Sequence, residues 1–195
     1  PDSPVPEGMH KAIIISAPSG AGKTTIVKAL LEQVPELEFS VSACTRPMRP
    51  GEVNGRDYWF LSPEEFRKRI DQDLLVEYQE VYPGSFYGTL KAELDRIWKN
   101  NHAVIFEVDA IGGINLKNYF GGQALSVFIK PPSVEVLEQR LRNRNTDSAE
   151  SIEKRMAKAL FEMSFAEKFD EIVVNDDLGK AISRVVGLVR DFLPQ

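Results

Sequence analysis

Apolar positions along the chain follow two different periods, and their order predicts buried strands alternating with amphipathic helices. "AIIIS" (Ala12 to Ser16), "AVIFEVD" (Ala103 to Asp109), "ALSVFI" (Ala124 to Ile129) and "EIVVN" (Glu171 to Asn175) are short apolar runs bounded by turn residues. Runs of this length without polar alternation suit strands covered on both faces, as in a parallel sheet. Elsewhere the apolar residues recur at helical spacing. Ile26, Val27, Leu30, Leu31 and Val34 form one such stripe, which stops at Pro35, and Val134, Leu137 and Leu141 form another within Ser133 to Arg144. Two further helices are predicted at Ser148 to Phe165 and Leu178 to Phe192.

The stretch from Phe39 to Lys91 breaks this rhythm. "FSVSAC", "DYWFL", "LLVEYQEVY" and "SFYG" are strand-like, and Asn54-Gly55 is a hairpin signal. Ser62-Pro63-Glu64-Glu65 is a capping box with proline at the first helical position, so a short helix starts there. The pattern as a whole predicts an α/β fold: a parallel sheet core flanked by helices, interrupted by an antiparallel subdomain. A chain of 195 residues, 43% hydrophobic and 27% charged, is large enough for one sizeable core and is read as a single domain.

Composition narrows the partners. With 24 basic against 29 acidic residues the net charge is -5, so the average surface repels a long nucleic acid. The single cysteine, Cys44, excludes an intramolecular disulfide and fits a reducing compartment, which makes the cytoplasm the expected location. No apolar run approaches the roughly 20 residues of a membrane helix, so no membrane partner is expected. Pro1 to Gly8 reads as a floppy lead-in before Met9.

Chemistry concentrates in a few places. Ala17-Pro18-Ser19-Gly20-Ala21-Gly22-Lys23-Thr24 matches the Walker A pattern except that Ala17 replaces its first glycine. The loop lies between a buried strand and an amphipathic helix, where backbone N–H groups, including that of Thr25, can cradle a phosphate. Lys23 would then reach the β- and γ-phosphates of a nucleotide, and the Thr24 hydroxyl would ligate Mg²⁺. Arg46 and Arg49 lie three residues apart with Pro47 and Pro50 stiffening the backbone, so their guanidinium forks can converge on one phosphate. The phenols of Tyr58 and Tyr87 are available as further donors. Arg140 and Arg144 share a helix face, and Arg155 lies in the next helix.

Four segments, "SAPSGAGKTT", "TRPMRPGEVNGRDY", "EYQEVYPGSFYGT" and "RLRNRNTDSAESIEKRM", resemble the guanylate kinase family, whose order runs from Lys11 to Leu193. The resemblance implies transfer of the ATP γ-phosphate to GMP with Mg²⁺, giving ADP and GDP, with dGMP a candidate second acceptor. It implies a core of residues 9–38, 92–139 and 156–195, a GMP-binding insertion at 39–91 and a lid at 140–155. It puts Ser42, Glu77, Thr89 and Asp109 against guanine, with Glu107 helping from the same strand as Asp109. It puts Arg46, Arg49, Tyr58 and Tyr87 on the GMP phosphate and Asn175 in the adenine-side loop. Lys23, Arg46, Arg144 and Arg155 are then the catalytic charges, with Arg140 beside them.

Elementary chemistry agrees on the base. Guanine presents N1–H and N2–H₂ side by side, and an ionised carboxylate such as Glu77 only accepts. No His–Asp or Ser–His pair is needed, because a phosphate acceptor with a second pKa of about 6 is already a dianion for much of its population. Positioning and charge neutralisation suffice, and His10 and His102 are read as surface or structural residues. Cys44, where the family commonly has threonine, is assigned no chemistry. One departure concerns Ile111, which stands where the family usually has glutamine, so a polar contact near the nucleotides is expected to be missing and the partner of Asp109 is left open. Two other readings stand beside the kinase. A non-catalytic, guanylate-kinase-like module that binds phosphorylated partners typically loses the loop lysine, whereas Gly22-Lys23-Thr24 is intact here. A kinase for another nucleotide or a phosphorylated sugar is opposed by the set Glu77, Ser42 and Asp109.

Overall fold

The structure, a computed structural model, describes residues 7–143 and 148–194. In chain order the elements begin with β1 (Ala12–Ser16), α1 (Lys23–Gln33), β2 (Leu37–Phe39), β3 (Ala43–Cys44), β4 (Trp59–Phe60), α2 (Pro63–Asp71), β5 (Leu75–Tyr82) and β6 (Ser85–Leu90). They continue with α3 (Lys91–Lys99), β7 (Ala103–Glu107), α4 (Ala110–Phe120), β8 (Ala124–Lys130), α5 (Val134–Asn143), α6 (Ala149–Met163), β9 (Glu171–Val174) and α7 (Leu178–Phe192).

The larger sheet has the order β2-β7-β1-β8-β9, and every pairing in it is parallel. Its central strand shows why the apolar runs do not alternate. Ile13 and Ile15 pack on one side with Leu30 of α1 and Val185 of α7, while Ala12 and Ile14 pack on the other with Ile97 of α3 and Leu116 of α4. Both faces are covered, so both parities must be apolar. The strands run the same way, so the loops after β1, β7 and β9 open at one edge, where an α/β sheet binds its ligands.

A smaller sheet, β4-β3-β6-β5, is packed on Phe66 of α2 together with Ala43, Leu75 and Phe86. β5 with β6 and β3 with β6 pair antiparallel as expected, whereas the two-residue pairing of β3 with β4 is parallel. The hairpin expected at Asn54-Gly55 lies elsewhere. Residues 53–58 close into a tight loop through Gly55 N–H to Tyr58 O (2.7 Å), and Phe60 N–H donates to Asn54 Oδ1 (2.9 Å). The true hairpin joins β5 and β6 at Pro83-Gly84, where Gly84 takes φ +80°. The capping box forms in full: Glu65 N–H donates to Ser62 Oγ at 3.1 Å and Ser62 N–H to Glu65 Oε2 at 3.2 Å.

Two helices are not among those expected from the apolar pattern: α3, although Leu94, Ile97 and Trp98 recur at helical spacing in it, and α4, which contains Gly112-Gly113. Packing explains the second glycine, since a Cβ on Gly113 would lie 2.9 Å from the Phe169 ring. Among the described residues no helix is long and apolar enough to cross a membrane.

Candidate active site

The phosphate loop hangs from the end of β1. Gly20 and Gly22 take φ of +86° and +88°, a region that strains any residue with a Cβ, and Ala21 N–H closes a turn on Pro18 O at 3.2 Å. Gly22 caps α1 without a side-chain bond, so the first N–H groups of that helix are left for an anion. Ala17 and Ala21 are buried, and a third feature holds the loop from below: Asn175, 5% exposed, donates Nδ2 to Ala21 O at 2.8 Å. A cleft of 330 Å³ opens over Pro18, Ser19, Lys23, Thr24 and Thr25.

A second cleft, of 290 Å³, lies between the two sheets and is lined by Ser42, Tyr58, Glu77, Gln79 and Tyr87 among others. Glu107 and Asp109, at and just after the carboxyl end of β7, line both clefts, so the two meet there. Glu77 is the unusual group. Its Oε1 accepts from Thr89 Oγ1 at 3.2 Å, while its Oε2 is buried with no partner among the described residues. Burial pushes its carboxyl up to about 7; the Asp109 charge adds to the rise and the Thr89 bond opposes it. Thr89 is only 1% exposed and reaches the cleft through Glu77.

The arginines are placed unevenly. Arg46 is clamped by Glu52 in a bidentate pair, both contacts at 2.8 Å, and lies over the Tyr58 ring at 5.2 Å. Tyr58 in turn meets Tyr87 edge-on, with ring centroids 6.0 Å apart. The Arg46 guanidinium, helped by Arg49 N–H, holds the Glu52 carboxyl down at about 2. Arg49 is exposed beside this pair. Arg140 donates to the backbone carbonyl of Asn175 at 3.2 Å and lines a third cleft, of 450 Å³, with Gly22, Thr25 and Asn175. Arg155 lies exposed on α6, and Arg144 falls outside the described residues. His10 stacks on Trp98, and His102 Nδ1 meets Glu38 at 2.8 Å, both away from the clefts.

Four residues in or beside the site are missing from the sequence reading. Glu52 lies within the quoted arginine segment but shows no period. Gln79 follows Glu77 by two, the strand repeat, which is the signal that points to it. Lys158 and Glu162 continue the face of α6 begun by Arg155, at i+3 and i+7, and both line the phosphate cleft. Burial raises the Glu162 carboxyl, and the charges of Lys158 and Lys23 oppose the rise. The Ile111 side chain is 40% exposed, and Asp109 Oδ1 takes hydrogen bonds from Gly112 N–H (2.7 Å) and Gln79 Nε2 (3.3 Å).

Among the described residues no group of three or more His, Cys, Asp or Glu side chains could hold a metal ion. What the phosphate cleft offers is the Thr24 hydroxyl, which donates to Glu107 Oε1 at 2.9 Å. One hydroxyl backed by one carboxylate fits a Mg²⁺ that keeps its waters and arrives on nucleotide phosphates, not one bound in a protein cage.

A parallel sheet with a lysine-bearing phosphate loop after its central strand, facing a second cleft built around a carboxylate, defines a P-loop phosphotransferase of the nucleotide kinase class. The guanylate kinase family model matches residues 9–191. The guanylate kinase of Bacteroides fragilis is 49% identical over 191 residues, covering 98% of this chain and 94% of the relative. That of Porphyromonas gingivalis is 49% identical over 186 residues, with 95% and 99% covered. The crystal structure of guanylate kinase from Anaplasma phagocytophilum superposes with a TM-score of 0.74 at 28% identity, over 97% of this chain and 89% of that one. The chain belongs to the guanylate kinase family.

Proposed function

We propose that this chain is an ATP:GMP phosphotransferase of purine nucleotide metabolism, acting in the cytoplasm and converting ATP and GMP to ADP and GDP. The observation that carries the reading is Glu77, which lines the cleft beside the phosphate loop and whose buried Oε2 has no partner among the described residues. A buried unpaired acceptor costs free energy unless a ligand supplies the donor. Guanine supplies two, N1–H and N2–H, in the spacing of a carboxylate, whereas adenine turns the N1 lone pair toward it and is repelled. The intact Lys23 and the uncapped N-terminus of α1 favour catalysis over a phosphoprotein-binding module.

On this reading residues 39–91 form the GMP-binding insertion, 140–155 the lid, and 9–38, 92–139 and 156–195 the core. Ser42, Glu77, Thr89 and Asp109 recognise the base, with Thr89 aiming Glu77. Arg46, held at its angle by Glu52, joins Arg49, Tyr58 and Tyr87 on the GMP phosphate. The loop from Ala17 to Thr25 wraps the ATP phosphates, Lys23 neutralises charge on the transferring group, and Asn175 and Arg140 border the adenine side. Arg144 and Arg155 stabilise the charge that spreads over the phosphoryl oxygens in flight. Thr24, oriented by Glu107, would hold Mg²⁺, which would supply charge neutralisation on the nucleotide phosphates. No side chain need remove a proton, since the attacking phosphate oxygen carries none in the dianion.

A coupled assay of ADP formation with GMP, dGMP, AMP, UMP and CMP tests the reading. Turnover confined to the guanine nucleotides is expected. Equal turnover with AMP, or none with GMP, would overturn it.

A further inference from the structure

Gln79 and Glu77 leave the same face of β5, and over this stretch the ladder is regular, with Glu77 opposite Thr89 and Gln79 opposite Tyr87. Gln79 thus belongs to the small sheet, yet its Nε2 meets Asp109 Oδ1 of the core at 3.3 Å. The amide must present its nitrogen there, because its oxygen would face the carboxylate lone pairs. Gly112 N–H donates to the same oxygen at 2.7 Å. Room for this meeting depends on Gly112 having no side chain, since a Cβ would lie 2.8 Å from Asp109 Oδ1 and 3.2 Å from Gln79 Nε2. Two donors thus converge on Oδ1, while Oδ2 accepts no hydrogen bond among the described residues.

Three carboxylates line this small cleft, Glu77, Asp109 and Glu107, and the last is engaged by the Thr24 hydroxyl. A neutral amide donor beside Asp109 lowers the cost of keeping that carboxylate near the others and fixes it in one orientation. Resting on the proposed GMP activity, we infer that Gln79 is a positioning residue for recognition of the purine 2-amino group. It holds Asp109 by Oδ1, which leaves Oδ2 to accept the N2–H that Glu77 does not take. Guanine is then read by two carboxylates in distinct roles: Glu77 takes the edge shared by N1–H and N2–H, and Asp109 takes the outer N2–H. The purine that separates these roles is hypoxanthine, which keeps N1–H and lacks the 2-amino group.

The experiment compares GMP with IMP in Gln79→Met, which preserves length and removes the donor. KM and kcat are measured for GMP, and the inhibition constant of IMP is measured against GMP. The expected result is a rise of about tenfold in the GMP KM, the size of one charge-assisted hydrogen bond, with kcat and the ATP KM within about twofold of wild type. IMP inhibition should change by less than about twofold, so the preference for GMP over IMP falls about tenfold. In Gln79→Glu, a second carboxylate beside Asp109 should raise the GMP KM most at pH 8, and the excess over wild type should shrink as acid restores a proton donor there. Equal weakening of GMP and IMP, or no change in either, overturns the inference. Failure of the GMP reading itself would show separately, as absence of GMP turnover in the wild-type protein.

Discussion

The Asn175 side chain reaches back from the end of β9 and donates to the carbonyl of Ala21 at 2.8 Å, so the last core strand props the phosphate loop. The fit is close, since a Cβ on Gly22 would lie 2.6 Å from the same nitrogen. Arg140 ties α5 to this prop through the Asn175 carbonyl. The loop is therefore shaped before any nucleotide arrives, which spares binding the entropy of ordering it.

Asn175→Ala should leave the Ala21 carbonyl buried without its partner. A loss of about 1 to 3 kcal/mol in stability is expected, read by urea unfolding, with a several-fold rise in the ATP KM and an unchanged GMP KM. Asn175→Asp should be no better, because a carboxylate repels the carbonyl it must meet. Wild-type ATP affinity in either variant would show that the loop keeps its shape without the prop.

Lys23→Ala should fold normally and lose turnover by on the order of a hundredfold or more, because it removes a fixed charge from the region of the transferring phosphoryl group. Steady-state ADP formation measures this, with circular dichroism as the check on folding. Activity near that of the wild type would move catalysis elsewhere, with Lys158 across the same cleft the first residue to examine.

Glu52→Gln tests whether Arg46 acts by charge alone or by direction. The variant keeps one acceptor but loses the bidentate clamp, which now holds both guanidinium nitrogens at 2.8 Å. A several-fold rise in the GMP KM with the ATP KM unaltered is expected. Because the Glu52 carboxyl is held down at about 2, the clamp itself should not titrate across the working pH range. A GMP KM equal to the wild type would leave Glu52 as a fold-stabilising partner only.

The core was legible because its physics is local. Buried parallel strands write themselves as apolar runs, and the loop after β1 carries its own residue pattern. Serine, proline and two glutamates likewise announced α2. What stayed hidden depends on chain segments that meet only in the folded state. Nothing near Glu52 in sequence says that it grips Arg46, and the meeting of Gln79 with Asp109 spans two sheets. Helix α4 was masked because the two glycines that its packing requires also lower its helical propensity. The Asn54-Gly55 dipeptide misled because a tight loop and a hairpin ask for the same residues, and pairing across the sheet decides between them.

Glu77 gives the sharpest test of the proposed base-reading site, because its protonation and its proposed function pull in opposite directions. In the ligand-free protein burial, together with the Asp109 charge, raises its carboxyl from 4.5 to about 7, so the folded state holds a proton that the unfolded state releases. Stability should therefore fall as pH rises from about 4.5 to 7, by on the order of 3 kcal/mol from this group. On the proposed reading GMP reverses the preference, since guanine N1–H and N2–H need an acceptor-only carboxylate. Below pH 7 part of the binding energy must remove that proton, and the GMP KM should climb by up to about tenfold per pH unit. The GMP phosphate also titrates near pH 6. Glu77→Gln separates the two effects, because it keeps the phosphate titration and abolishes the carboxyl one. That variant should lose roughly ten- to several-hundredfold in kcat/KM for GMP, since an NH₂ now faces a donor, and its remaining pH dependence should be shallower. ATP binding should be nearly untouched in both. If the wild-type and Glu77→Gln profiles ran parallel from pH 5.5 to 8.5, the orphaned oxygen of Glu77 would not be the atom that reads guanine.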